Sequence, residues 1–159
     1  PLLRRKGLGP AKAAGLLAAV EVGRRLARLE IPEREPLRRP AEIVRYLELR
    51  YSRRDQEVVG ALFLDSRRRL LAEKEIYRGT FDRAATEPRE ILKECLLRGA
   101  AAIVLFHTHP SGDPAPSAED LLATRRLAEA AEIVGVHLVD HLILGHGGRW
   151  ASVRDHLAW

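Results

Sequence analysis

His107 and His109 stand two residues apart, and Asp120 follows eleven residues after the second of them. Neutral imidazole nitrogens and a carboxylate oxygen are donors that suit zinc. Two histidines and one aspartate fill three tetrahedral positions and leave the fourth for water, the arrangement of a catalytic zinc site. Taken singly, each piece has a plainer explanation. A His-x-His pair is commonly structural or exposed, and Ser117-Ala118-Glu119-Asp120 is an acidic variant of the capping box. The joint pattern is what points to a metal: His-x-His, seven residues, a serine, two residues, an aspartate.

A hydrolytic zinc site also needs a base. The metal lowers the pKa of its water to about 7, and a nearby carboxylate can take the proton and pass it to the leaving group. Glu57, Glu73 and Glu75 are the candidates. Glu57 opens the apolar run Val58-Val59-Gly60, where a carboxylate has no packing role. Glu73 and Glu75 fall mid-strand on one face, as solvent-facing residues do. Glu57 is preferred, with a solvated strand end as its plainer alternative.

The elements that must carry these residues can be read around them. Ala101 to Phe106 is a continuous apolar run entering His107, the signature of an interior strand. Alternation along a strand puts both imidazoles on one face, in line with Ile103 and Leu105. Pro110, Pro114 and Pro116 keep the next loop from being helical. Ser117 as N-cap then opens a helix from Ala118 to Val134. Asp120, Thr124, Leu127, Ala131 and Val134 make its inward row, so the carboxylate faces the sheet. Val58 to Leu64 reads as a second interior strand and Leu70 to Tyr77 as its partner. Pro88 to Arg98 reads as a helix with Thr86 as its cap, Cys95 inward and Gly99 past its end. Val136 to Leu144 and Trp150 to Val153 complete the strands. The order predicts an α/β domain with a mixed β-sheet flanked by helices.

Residues 10–28 form a further helix with an apolar stripe of Leu16, Leu17, Val20, Leu26 and Ala27. A proline-rich linker follows at 31–40, and then a helix from Ala41 to Tyr51. Of the 27 Lys+Arg residues, 14 lie in residues 1–54 against 6 Asp+Glu, a local charge of +8; the remainder carries −3. An arginine-rich face attracts phosphates, although a solvated surface explains the same charge more simply. The single cysteine, Cys95, rules out an intrachain disulfide framework and a Cys-based zinc site, and fits a reducing, cytoplasmic setting. No apolar run approaches the roughly 18 residues of a membrane span, and no signal peptide is recognisable at the N-terminus.

The stretch His107-Thr108-His109-Pro110 to Ser117 and Asp120 is similar to the JAMM motif of MPN-type zinc isopeptidases. More closely, it resembles the RadC family, bacterial proteins named for DNA repair. Arg78-Gly79-Thr80, Glu87-Pro88-Arg89-Glu90 and Val139-Asp140-His141-Leu142 extend the likeness over nearly the whole chain. The resemblance implies a JAB/MPN-like sheet, distantly cytidine-deaminase-like. It implies His107, His109 and Asp120 as zinc ligands, and Ser117 as a donor to the reacting oxygen. It places the family's acidic residue at Glu57, within Gln56-Glu57-Val58-Val59-Gly60. The activity implied is metallopeptidase-like hydrolysis of an amide or isopeptide bond in a peptide or protein substrate. Thr108 stands where asparagine is usual in the family, facing away from the metal. Deaminase chemistry needs a cysteine pair that this chain lacks.

Gly7-Leu8-Gly9-Pro10-Ala11-Lys12-Ala13 resembles the hairpin and second helix of a helix-hairpin-helix, without its first helix. Such a hairpin offers backbone N–H groups to DNA phosphate. Arg4, Arg5, Lys6, Gly7, Gly9 and Lys12 are the candidate contacts, and an ordinary Gly-Pro helix entry is the equal alternative. The chain thus divides into a partial helix-hairpin-helix segment (1–30), a linker (31–40) and a RadC-like zinc domain (41–159). A DNA-associated repair protein with a vestigial or non-peptidase zinc site is the alternative function. Asp140 with His141 reads as a buried hydrogen-bonded pair rather than a fourth ligand, His146 as exposed, and Asp113 as a turn residue.

Overall fold

A computed structural model describes residues 9–29, 36–37, 39–51, 56–79, 87–157 and 159. Arg4, Arg5, Lys6, Gly7, Thr80 and Thr86 lie outside the described residues. The chain divides into two units, Pro1–Pro32 and Glu33–Trp159. The first contains helix α1, Pro10–Leu29. Pro10 opens it, where a missing N–H costs nothing, and the N–H of Ala13 donates to the Gly9 carbonyl at 3.0 Å. Leu16, Leu17 and Val20 of the expected apolar stripe are exposed.

The second unit is built on a five-stranded mixed sheet in the order β2-β1-β3-β4-β5. The strands are β1 (Val58–Leu64), β2 (Leu70–Arg78), β3 (Ala102–Thr108), β4 (His137–Leu144) and β5 (Trp150–Ser152). β3 and β4 pair in parallel, while the β1–β2, β1–β3 and β4–β5 pairs are antiparallel. β1 and β3 are buried along their whole length, as expected of apolar runs with helices on both faces. β3 continues two residues past its apolar run, through His107 and Thr108, because these still pair with Ile143 and Leu144 of β4.

On one face, Val59, Ala61, Phe63, Ile103 and Leu105 pack with Ile91, Leu92 and Cys95 of α3 (Pro88–Arg98) and with Leu127 and Ala131 of α4 (Ala118–Ile133). α3 ends on Gly99, whose φ of 60° is the left-handed cap that favours glycine. α2 (Pro40–Tyr51) lies against the other face, where Tyr51 stacks on Phe106 with ring centroids 4.8 Å apart. Gly60 leaves room for the Phe106 ring: a Cβ there would meet Phe106 Cζ at 2.3 Å and the Lys74 carbonyl at 2.9 Å. Part of the expected linker is packed structure. Leu37 is buried, and its N–H donates to the Arg68 carbonyl at 2.9 Å.

Candidate metal centre

His107 lies at the C-terminal end of β3, opposite Val59 of β1, so its ring shares the face that carries α3 and α4. His109 has the same parity one step further on, where the chain leaves the strand. Its N–H still donates to the Leu144 carbonyl at 2.9 Å. Pro110 to Pro116 then loop over the strand end and deliver Ser117 as the N-cap of α4. The capping box is complete. Asp120 N–H donates to Ser117 Oγ at 3.1 Å, and Ser117 N–H donates to Asp120 Oδ2 at 2.8 Å. Cap and ligand are therefore not competing explanations for Asp120. Ser117 Oγ also donates to Oδ2 at 2.7 Å, while Oδ1 turns toward His107.

Three donor atoms converge. His107 Nε2 lies 2.7 Å from His109 Nε2 and 3.4 Å from Asp120 Oδ1. His109 Nε2 lies 3.6 Å from Asp120 Oδ2. Zinc bonds of about 2.0–2.2 Å in a tetrahedral arrangement hold neighbouring donors about 3.3 Å apart. The two carboxylate distances match that spacing, and the imidazole pair is closer. The proton count points the same way. His109 Nδ1 lies 2.7 Å from the Asp113 carbonyl, which can only accept, so Nδ1 carries the hydrogen. In neutral His109 the Nε2 lone pair then faces His107 Nε2, so either a hydrogen on His107 Nε2 or a cation must lie between the two nitrogens. The residues fit a divalent metal.

The electrostatics follow from burial. His107 is fully buried, and desolvation pushes its pKa well down, helped by the neighbouring His141 and His109 and opposed by Asp120. His109 keeps 18% of its side chain exposed and is raised, first by its contact with Asp120 and then by the Asp113 carbonyl. Burial would raise Asp120, but His109, His107 and Ser117 together hold it below the usual carboxylate range. The site thus favours a charged carboxylate and an uncharged His107, as metal binding requires, while His109, raised by Asp120, would release its proton to a metal.

Glu57 stands two residues before Val59, on the same side of β1, and its negative charge contributes to the rise of His109. Its backbone carbonyl accepts from Gly79 N–H at 3.0 Å. The other two acids belong elsewhere. Glu73 pairs with Leu62 and Glu75 with Gly60, which turns both to the α2 face. Nor is Glu73 a solvent-face residue. It accepts from the Tyr46 and Tyr51 hydroxyls and lies 2.9 Å from Arg50 Nε, because the last turns of α2 lie over it. Glu75 pairs with Arg78 at 2.5 Å. Gly9 and Lys12 lie at the start of α1 in the other unit.

Sequence reasoning missed part of the surroundings. His141 and Asp140 are both buried and hydrogen-bonded as expected, His141 N–H donating to Asp140 Oδ1 at 2.7 Å, but their side chains point to opposite faces. Asp140 accepts from Ser152 Oγ at 2.8 Å on the α2 face, while the His141 ring is 2.8 Å from His107 on the metal face. Thr124, in the inward row of α4, meets His141 from the other side at 2.6 Å. The available signal was the four-residue step from Asp120 to Thr124, which places both side chains on one helix face. Thr108 faces away as expected, its Oγ1 accepting from Val58 N–H at 3.0 Å. His146 is exposed and Cys95 is buried.

The chain matches the model of a protein family described as the RadC-like JAB domain over residues 37–158. It is 42% identical over 154 residues to a UPF0758 protein of Chloroflexus aurantiacus, covering 97% of this chain and 67% of the relative. A UPF0758 protein of Xanthomonas campestris pv. campestris is 44% identical over 146 residues, covering 92% of this chain and 65% of the relative. One of Marinobacter nauticus is 43% identical over 145 residues, covering 91% and 65%. The chain therefore spans about two thirds of the length of these relatives.

Proposed function

The chain belongs to the RadC-like JAB domain family, and from that premise we propose that it is a zinc-dependent hydrolase of the metallopeptidase or isopeptidase type. The observation that carries the reading is the convergence of His107, His109 and Asp120, with Glu57 on the same side of the sheet. Zinc, if held by these three residues, would supply Lewis acidity and lower the pKa of a water to near 7. The chain's own residues do the rest. Glu57 takes a proton from the attacking water and returns it to the leaving amine. Ser117 Oγ, now donating to Asp120 Oδ2, lies at the mouth of the site and donates to the oxygen of the scissile carbonyl as charge develops there. Asp120 keeps its negative charge and steadies the cationic centre. The substrate is an amide or isopeptide bond in a peptide or protein, in the setting of the cytoplasm.

Elemental analysis of protein purified without chelator tests the first half. About one zinc per chain in the wild type, and much less in Asp120→Ala and His109→Ala, is the expected result. A wild type that takes up no zinc when supplied with it overturns the reading. Peptide and isopeptide substrates then test the second half, with Glu57→Gln expected to keep zinc and lose turnover.

A further inference from the structure

Behind the three donors, away from the mouth of the site, lies a closed run of hydrogen bonds that the ligand set does not use. Thr124 Oγ1 donates to the Asp120 carbonyl at 2.6 Å, across one turn of α4. A hydroxyl has one hydrogen. Thr124 therefore presents a lone pair to His141 Nδ1, also at 2.6 Å, and that nitrogen must be the donor. His141 is 2% exposed. No carboxylate oxygen is hydrogen-bonded to its ring among the described residues, and an imidazolium buried in that way would be costly. A neutral ring with its hydrogen on Nδ1 has a lone pair on Nε2. His107 Nδ1 sits 2.8 Å from that lone pair and supplies the hydrogen. His107 Nε2 is then left bare, facing His109 and Asp120.

We propose that Thr124 and His141 are positioning residues that lock the hydrogen of His107 on Nδ1 and so hold Nε2 ready for the metal. The proposal rests on the zinc reading above and adds the part that determines the ligand's tautomer. The chain of bonds is directional: were Thr124 to give its hydrogen to His141 instead, every proton downstream would reverse and His107 Nε2 would be blocked. Because Thr124 stands one turn after Asp120 and its bond ends on the Asp120 carbonyl, one helix end places a ligand and also sets the proton of another ligand two strands into the fold. A ligating histidine that donates its other N–H to a fixed partner is a recurring device for metal affinity, here built from a histidine and a threonine.

Two-bond proton–nitrogen correlation spectra of the metal-free, 15N-labelled protein read the tautomers directly. His107 and His141 are both expected as Nδ1–H forms; a His107 in the Nε2–H form overturns the proposal without any variant. Zinc affinity, measured by competition with a chromophoric chelator, is expected to fall about tenfold or more in Thr124→Val and in His141→Ala. Thr124→Val preserves the shape of the helix face, which separates proton placement from loss of packing. His141→Gln restores an acceptor toward His107 and is expected to recover affinity relative to His141→Ala. Wild-type affinity in both Thr124→Val and His141→Ala overturns the proposal. A wild type that binds no zinc instead overturns the metal reading beneath it, and the metal-free spectra still decide where the protons sit.

Discussion

At Ser117 and Asp120 the same few atoms close a helix cap and, in the function proposed above, complete a ligand set, so a substitution there is expected to have two separable costs. Ser117→Ala removes the cap bond to Asp120 N–H and is expected to cost about 1 kcal/mol of stability in a denaturant titration. A fall in turnover much larger than that loss explains marks the hydroxyl's second use on the substrate. Glu57→Gln isolates the base: zinc content unchanged, turnover down by about 10²–10⁴-fold. Cys95 makes a contrasting prediction. Burial pushes its thiol up to about 11. Only about one molecule in a thousand is then thiolate at pH 8. A thiol-exchange reagent is expected to label the folded chain slowly and the denatured chain at once. Rapid labelling of folded protein would mean that α3 does not stay packed on the sheet.

At the scale of the element, the hairpin from β1 to β2 is the most exposed to test. Asp65 Oδ1 accepts from the N–H groups of Arg67 at 2.8 Å and Arg69 at 2.9 Å, holding a turn in which Arg68 has a φ of 62°. Its pKa is lowered, chiefly by the Arg69 N–H. A carboxyl depressed on folding adds stability above its unfolded value, near 3.9, and loses it as pH falls through the folded value. Asp65→Ala is therefore expected to melt earlier than wild type at pH 7, with the gap narrowing in acid. Gly60→Ala forces a methyl against Phe106 and the Lys74 carbonyl, and is expected to cost about 1–3 kcal/mol through strain across β1, β2 and β3. Wild-type stability in that variant would mean the three strands are looser than described. Elements of this kind were readable in advance where local forces decide them. β1 and α3 have the bounds that apolar runs and a Pro–Gly frame imply. The apolar run that marks β3 ends at Phe106, and the strand goes on through His107 and Thr108 because these pair with β4, a partner more than thirty residues away.

At the scale of the molecule, the readable part was the cluster of His107, His109 and Asp120, which could hold a metal ion, because its three residues lie within one strand, one loop and one helix start. Glu73 was misread because alternation gives a residue's side of its own strand but not which helix covers that side. Here the end of α2 does so, with two tyrosines and an arginine. His141 was undervalued for a similar reason: its meaning depends on Thr124, from a different element. The two units raise a separate question of partners. The basic balance of residues 1–54 fits a solvated surface as well as contact with DNA, and the two give different outcomes. If Arg4, Arg5, Lys6 and Lys12 make such contacts, full-length chain is expected to shift a labelled duplex at low salt. Neutralising each contacting residue then flattens the slope of log affinity against log salt by about 0.9. No shift at low salt removes DNA from the list of partners.

The three proposed ligands span only residues 107 to 120, whereas Glu57, the proposed base, stands fifty residues earlier at the start of β1. Gathering the three donors closes a short loop, while adding the acid closes one about four times longer, an entropic difference of about 1 kcal/mol. An unfolded chain therefore gathers the three donors on their short segment more readily than it adds the acid beside them. Any affinity of the unfolded state subtracts from what the ion contributes to folding. Added zinc should accordingly raise the melting temperature by less than the native affinity alone implies, and the shortfall measures how much of the centre is already local in the chain.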